Sequence, residues 1–232
     1  VERRVADPII DFKLFHNRIF VSANGSLILC YLAIFAVSFI LPFYLEELHG
    51  FSIIEAGLLL TPLPLTIALI APFSGALADK IGSRWLAASG LTVVCIGLFL
   101  ISQLDAHSSI NDIIWRLMLT GAGQALFQSP NSSALMGSVA RSRQGSASGF
   151  LSTGRVMGQS VSVALTGAIF TGLGGAFAGT TLIHPQSMSL AAYTVLQNTF
   201  TMAFHTTFLV CTGIAACSIV AAFIRGKERM HD

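Results

Sequence analysis

Residues 75–85 read Gly-Ala-Leu-Ala-Asp-Lys-Ile-Gly-Ser-Arg-Trp and separate two long apolar stretches. The flanking stretches, 54–77 and 85–104, are each long enough for a transmembrane helix of about 20 residues. Gly82 permits a sharp reversal of the chain, and Lys80 and Arg84 favour the cytoplasmic side of a membrane. The stretch therefore predicts a short cytoplasmic turn between two membrane-spanning helices.

The composition indicates that most of the chain lies in lipid. Of the 232 residues, 53% are hydrophobic and 10% are charged, and the mean hydropathy is +0.74. Soluble domains carry about 25% charged residues, so a water-soluble fold is excluded. We expect no disulfide, metal or cofactor, because the cysteines lie unpaired in apolar runs: Cys30, Cys95, Cys211 and Cys217.

The apolar pattern predicts an all-α membrane protein with six spans. They are expected at 20–45, 54–77, 85–104, 113–137, 145–173 and 200–224. Lys and Arg occur before the first span, after the second and fourth, and after the sixth, whereas the other loops contain none. This alternation matches the positive-inside rule for six helices with both ends in the cytoplasm.

The chain is expected to divide into three parts. Residues 1–19 form a cytoplasmic linker or an amphipathic segment at the membrane interface, 20–225 the six-helix bundle, and 226–232 a cytoplasmic tail. The glycine-rich stretch 174–199 is expected to be an external loop. Because the first residue is Val, we also expect a longer parent protein.

Polar side chains recur on one face of the fourth and fifth predicted helices. They are Arg116, Thr120, Gln124, Gln128 and Asn131 on the fourth, and Ser148, Ser152, Arg155, Gln159, Ser162 and Thr166 on the fifth. Such stripes are unfavourable against lipid and must face protein or a water-filled cavity. The hydroxyl residues are also typical of contacts between helices. We predict that five residues line a substrate cavity: Gln124, Gln128, Asn131, Arg155 and Gln159.

Arg155 is expected close to the bilayer midplane, about 15 Å along its helix from Gly145. No Asp or Glu lies in the middle of a predicted span. A carboxylate partner would therefore come from elsewhere or from a substrate. The alternative is a structural arginine bonded to helix carbonyls.

The turn at 75–85 resembles the loop motif of the major facilitator superfamily, Gly-x-Leu-x-Asp-Lys-x-Gly-x-Arg. The matching residues are Gly75, Leu77, Asp79, Lys80, Gly82 and Arg84. Ser83 stands where a basic residue is common. The stretches 7–18, 41–45, 56–62, 121–130 and 154–158 resemble segments of the 14-helix drug:proton antiporters, a multidrug efflux family. The resemblance implies the C-terminal half of such a transporter, with the motif as a gating latch.

By that resemblance, the intact protein is expected to export drug-like amphipathic compounds by proton antiport with alternating access. The implied partners are the lipid bilayer, a small-molecule substrate, protons and an N-terminal half; enzymatic activity and nucleic acid are not implied. The implied location is the cytoplasmic (inner) membrane. Other interpretations stay open: an exporter of a specific metabolite or siderophore, a membrane scaffold, or an intramembrane hydrolase using Ser148 and His205.

Overall fold

The computed structural model describes residues 17–183 and 189–223, apart from the side chain of Asp79. The helices are α1 (Arg18–Phe43, continued by a π-helical turn at Tyr44–Leu48), α2 (Ile53–Leu60), α3 (Pro62–Ile81), α4 (Ser83–Ser102), α5 (Ile110–Gly137), α6 (Gln144–Gly172, after a 3-10 turn at Arg141–Arg143), α7 (Gly175–Leu182) and α8 (Leu190–Phe223). Most of the predicted N-terminal segment, the predicted tail and His184 lie outside the described residues.

These helices follow the predicted all-α order of spans. Within the described residues, four stretches are long and apolar enough to cross a membrane: 18–48, 53–78, 83–102 and 190–223. The stretch 141–172 and α7 meet the same criteria when taken together as one span bent by 73°. α5 has 28 residues but does not meet the same test of composition, since it carries one of the polar stripes.

Two features of the predicted spans are informative. The prolines of the second span differ in effect: α2 ends at Leu60, and Pro62 opens α3 at the first helical position, where its missing N–H costs nothing, whereas Pro72 lies inside α3. The expectation of an external loop at 174–199 is wrong. Gly174 has φ +81° and turns the chain into α7, and α8 already begins at Leu190.

α1 lies at the centre of the bundle and packs against α5, α6 and α8. α4 lies between α5 and α8, and α3 packs mainly on α5. The core contains large buried side chains from most of the helices, among them Phe20, Leu91, Phe127 and Phe204. The opposite face of α3 is exposed and apolar.

One end of the bundle gathers the loops predicted to be cytoplasmic. Asn17 donates a hydrogen bond to the Ser138 carbonyl (2.8 Å), and Arg84 donates one to the Phe223 carbonyl (2.7 Å). The start of α1, the α3–α4 turn, the α5–α6 loop and the end of α8 therefore lie together. Their basic residues concentrate at this end.

The other end gathers the loops predicted to be external. The Tyr44 hydroxyl donates to the Asp105 carbonyl (2.6 Å), and the Tyr44 ring stacks on Phe204, with ring centres 4.8 Å apart. His49 lies 2.9 Å from the same hydroxyl. The end of α1 is thus joined to the α4–α5 loop and to α8, as the loop charges predict.

Candidate substrate-binding site

The candidate site is built on the close contact between α1 and α6. A methyl group added at Gly154 would lie 2.6 Å from Asn24 Oδ1, and one at Gly158 would lie 2.6 Å from the Ile28 carbonyl oxygen. Only glycine leaves room for this approach. A methyl group at Gly145 or Gly149 would meet nothing within 4 Å. The closest approach of α1 and α6 therefore lies at the middle of α6.

Arg155 lies at the edge of this contact and over the ring of Tyr31. Its guanidinium carbon is 5.2 Å from the ring centre, within the range of a cation–π interaction. Such a contact contributes about 0.5–2 kcal/mol, depending on solvent exposure. The Arg155 Nε is buried and has no hydrogen-bond partner. Tyr31 therefore holds the guanidinium in place but leaves donor capacity unused.

Gln124 brings α5 to the same tyrosine. Its side chain interacts with the Tyr31 hydroxyl and is 7% exposed. Its Oε1 is buried without a partner, and an unmet acceptor of this kind costs about 1–3 kcal/mol. Tyr31 thus meets Gln124 of α5 at its hydroxyl and Arg155 of α6 at its ring face.

The other predicted cavity residues lie in different surroundings. Asn131 is 1% exposed and donates a hydrogen bond to the Ala23 carbonyl (3.0 Å), which joins α5 to α1. Gln128 and Gln159 are half-buried on α5 and α6. The structure therefore brings Gln124 and Arg155 together around Tyr31 and places Asn131 in a helix contact.

The hydroxyl residues of the two stripes are used in different ways. Thr120 is buried against Gly97 of α4 and donates to the carbonyl of Arg116 in its own helix. Thr166 is fully buried and donates to the Ser162 carbonyl. Ser148 and Ser152 are exposed. The buried hydroxyls therefore serve helix packing, the alternative already considered for them.

The charge around Arg155 is not balanced at its depth in the bundle. Within the described helices, acidic residues occur only in the first or last turn of a span: Glu46, Glu47, Glu55, Asp79 and Asp112. Among the described residues, no group of three or more His, Cys, Asp or Glu could hold a metal ion. The chemistry available is hydrogen bonding, cation–π contact and attraction of electronegative groups.

The loop motif surrounds the predicted reversal between α3 and α4. Gly82 has φ +89° and is the only residue between the two helices, which confirms its predicted role. Gly75 brings α3 close to α5, since a methyl group there would lie 3.3 Å from Ser129 Oγ.

The remaining motif residues point to contacts at the basic end. Leu77 and Lys80 are exposed. Arg84 bonds to the Phe223 carbonyl, and its guanidinium carbon lies 5.9 Å from the Phe223 ring centre. The side chain of Asp79 lies outside the described part of the chain.

Tyr31 and Asn24 are the residues that sequence reasoning missed. The predicted polar stripes consist of amide, hydroxyl and arginine side chains that recur along one helix face. A single tyrosine in an otherwise apolar helix forms no such repeat. A weak signal existed: Asn24 and Tyr31 are seven residues apart, two turns along one face of α1.

Comparison with known proteins places the chain in a family. Residues 24–231 match the sequence profile of the Major Facilitator Superfamily. An uncharacterized transporter, YebQ of Escherichia coli (strain K12), is 43% identical over 134 residues, which cover 58% of this chain and 29% of that protein. The riboflavin transporter RibZ of Clostridioides difficile (strain 630) is 36% identical over 169 residues, 73% of this chain and 37% of that protein.

Two further matches agree. The multidrug resistance protein Stp of Mycobacterium tuberculosis is 27% identical over 73% of this chain and 31% of its own length. The crystal structure of a bacterial homologue of the human lysosomal transporter Spinster, inward-facing and occupied, has a TM-score of 0.69 at 17% identity, covering 92% of this chain and 50% of that one. The chain spans 29% to 37% of the three curated relatives' lengths. It belongs to the Major Facilitator Superfamily.

Proposed function

We propose that this chain is the C-terminal half of an exporter of the 14-helix drug:proton antiporter type, located in the cytoplasmic membrane. Its substrates are drug-like amphipathic compounds, and proton entry drives their export. The observation that carries the proposal is the meeting of Gln124, Tyr31 and Arg155, from three helices, in the middle of an apolar bundle. Polar groups at this depth are typical of a transport pathway.

Alternating access would follow from rocking of this bundle against an N-terminal half around the central site. Gln124, Gln128, Arg155 and Gln159 are this half's proposed contribution to the cavity wall, and Asn131, also predicted there, holds α5 against α1 behind it. The relatives are about three times as long as the matched region, which supports a second half. In the described part of this chain, acidic residues lie only at the ends of the spans. We therefore place the proton-coupling carboxylate of the proposed mechanism in the other half.

The motif at 75–84 is proposed to act as the gating latch. Gly75 and Gly82 fix the path of the turn, and Lys80 lies exposed at the basic end. Asp79 would meet a helix N-terminus or a basic group of the other half in one state and release it in the other.

Export of one specific metabolite is the second candidate, because RibZ, 36% identical, is named a riboflavin transporter. A hydrolase is not favoured, because Ser148 is exposed near the start of α6, whereas His205 lies midway along α8.

Transport by the complete protein in everted membrane vesicles tests the proposal. An imposed proton gradient should drive uptake of norfloxacin, a fluorescent aromatic drug that carries a carboxylate, and a protonophore should abolish it. Asp79→Asn should remove transport without reducing membrane insertion, whereas the neighbouring Ala76→Ser should transport normally. Gradient-driven uptake of riboflavin alone would establish the second candidate instead. Normal transport by Asp79→Asn would refute the latch.

A further inference from the structure

We propose that Tyr31, Gln124 and Arg155 bind planar aromatic compounds through a carbonyl or carboxylate oxygen, and that they discriminate against purely cationic ones. The inference rests on the proposed function, because it assigns a chemical class to the same cavity. It adds Tyr31 to the predicted residues and gives each of the three a separate role.

Arg155 supplies the donors. Its guanidinium is held 5.2 Å from the centre of the Tyr31 ring, while its buried Nε has no partner. A guanidinium presents its N–H groups in a rigid plane that matches carboxylate and carbonyl oxygens. Since the cation–π contact uses the face of the ring, the N–H groups at the guanidinium edge stay available to a ligand oxygen.

The described part of the protein supplies no anion at this depth. Acidic side chains occur only at the ends of the spans, and Tyr31 offers a π face rather than a charge. An oxygen-bearing ligand would therefore be the first electronegative partner of Arg155. A cationic ligand would instead meet a like charge.

Gln124 supplies the acceptor. It is 7% exposed, it interacts with the Tyr31 hydroxyl, and its Oε1 is buried without a partner. This oxygen can accept an N–H or O–H of a ligand. A donor and an acceptor that both contact one aromatic residue suit a ring that carries a carbonyl next to an N–H group.

The test measures binding of three fluorescent probes to the complete transporter in nanodiscs. Riboflavin carries ring carbonyls next to an N–H group, 1-naphthoate carries a carboxylate and no donor, and ethidium is a planar cation without oxygen. Arg155→Met should weaken riboflavin and 1-naphthoate at least tenfold and leave ethidium unchanged or tighter. Gln124→Met should weaken riboflavin but not 1-naphthoate.

Arg116→Met is the matched control. Arg116 of α5 also has buried nitrogens without partners, but its guanidinium lies over its neighbour Trp115, at 5.4 Å from the ring centre. This variant should bind all three probes as the wild type does. Arg155→Lys keeps the positive charge but lacks the planar guanidinium, so it should retain binding of 1-naphthoate and lose binding of riboflavin. This variant tests the inference if Arg155→Met does not fold.

The outcomes separate the possibilities. Loss of only one oxygen probe in Arg155→Met supports the inference and identifies carbonyl or carboxylate as the preferred group. The inference is overturned if Arg155→Met loses all three probes equally, or if the wild-type protein binds ethidium and neither oxygen-bearing probe. Either result leaves the proposed exporter function standing. Arg155-dependent binding without proton-driven transport overturns the exporter and leaves the inference standing.

Discussion

Two pairs of helices use glycine to approach each other, and they differ in what surrounds the contact. Between α4 and α5, a methyl group at Gly90 would lie 2.5 Å from the Phe127 backbone nitrogen, and one at Gly123 would lie 2.6 Å from that of Val94. Thr120 beside this contact satisfies its hydroxyl within its own helix. Between α1 and α6, Gly154 and Gly158 play the same part.

The flanks of the α1–α6 contact are polar and incompletely bonded. Atoms of Asn24 and Arg155 are buried there without hydrogen-bond partners, and Gln124 adds a third across Tyr31. Close glycine contacts therefore serve helix packing between α4 and α5, whereas between α1 and α6 they lie beside the candidate site. Close packing alone therefore does not distinguish the two pairs of helices; the polar groups around Tyr31 do.

The largest effect is expected from alanine at the contact glycines. Gly90→Ala and Gly158→Ala each place a carbon under 3 Å from backbone atoms of the facing helix, which should cost about 1–3 kcal/mol of stability. Gly158→Ala should also lower transport per folded molecule, because the added carbon would lie 2.9 Å from Tyr31 Cβ.

Thermal unfolding and vesicle transport of the complete protein check this prediction. Gly149→Ala is the control, since a methyl group there meets nothing within 4 Å and removing a helical glycine gains about 0.5–1 kcal/mol. Equal transport per folded molecule in Gly90→Ala and Gly158→Ala would erase the distinction between the two pairs.

A smaller effect on stability is expected at the polar flank. Gln124→Met removes a buried acceptor without a partner. The free energy of unfolding should therefore stay constant or rise by up to about 1–3 kcal/mol, and the melting temperature with it, while riboflavin transport falls. Thr120→Val, at the flank of the α4–α5 contact, should leave transport unchanged. A clear loss of stability in Gln124→Met would mean that this glutamine is structural.

The smallest effect concerns the junction between the two pairs. His49 follows α1 and lies 3.3 Å from the carbonyl of Asp105 in the α4–α5 loop. Burial lowers the pKa of His49 below its ordinary value of 6.5, against a weaker opposing influence of Asp105. The unfolded chain then binds more protons, so stability should fall as pH drops below about 6.5.

Melting curves between about pH 5 and pH 8 check the junction. The midpoint should drop on acidification, and His49→Gln should reduce that drop. If the melting temperature of His49→Gln falls as much as that of the wild type, another group titrates in this range. The contact of His49 with the α4–α5 loop then does not set the pH dependence.

The sequence predicted those features that are local in the chain. Span positions follow from apolar length, the grouping of the loops at two ends from Lys and Arg, and the reversal from Gly82. Each depends on residues next to one another, and each is present in the structure.

Features that depend on a facing helix were not accessible in this way. The glycines after α6 indicated a loop, yet Gly175 and Gly179 pack α7 against Phe170, Phe200 and the carboxyl group of Glu47. Periodicity places Asn131 and Gln124 on one stripe, but it does not show that Asn131 bonds to the Ala23 carbonyl of α1 while Gln124 meets Tyr31 of the same helix. Such pairings are set by tertiary packing.

The one-residue joint at Gly82 has a mechanical consequence. α3 ends at Ile81 and α4 begins at Ser83, so the connection has no slack in which a tilt of α3 could be absorbed. Arg84 ties the first turn of α4 to the last carbonyl of α8. A force on the exposed side of α3 would therefore be transmitted to α4 through Gly82, and from α4 to α8 through Arg84.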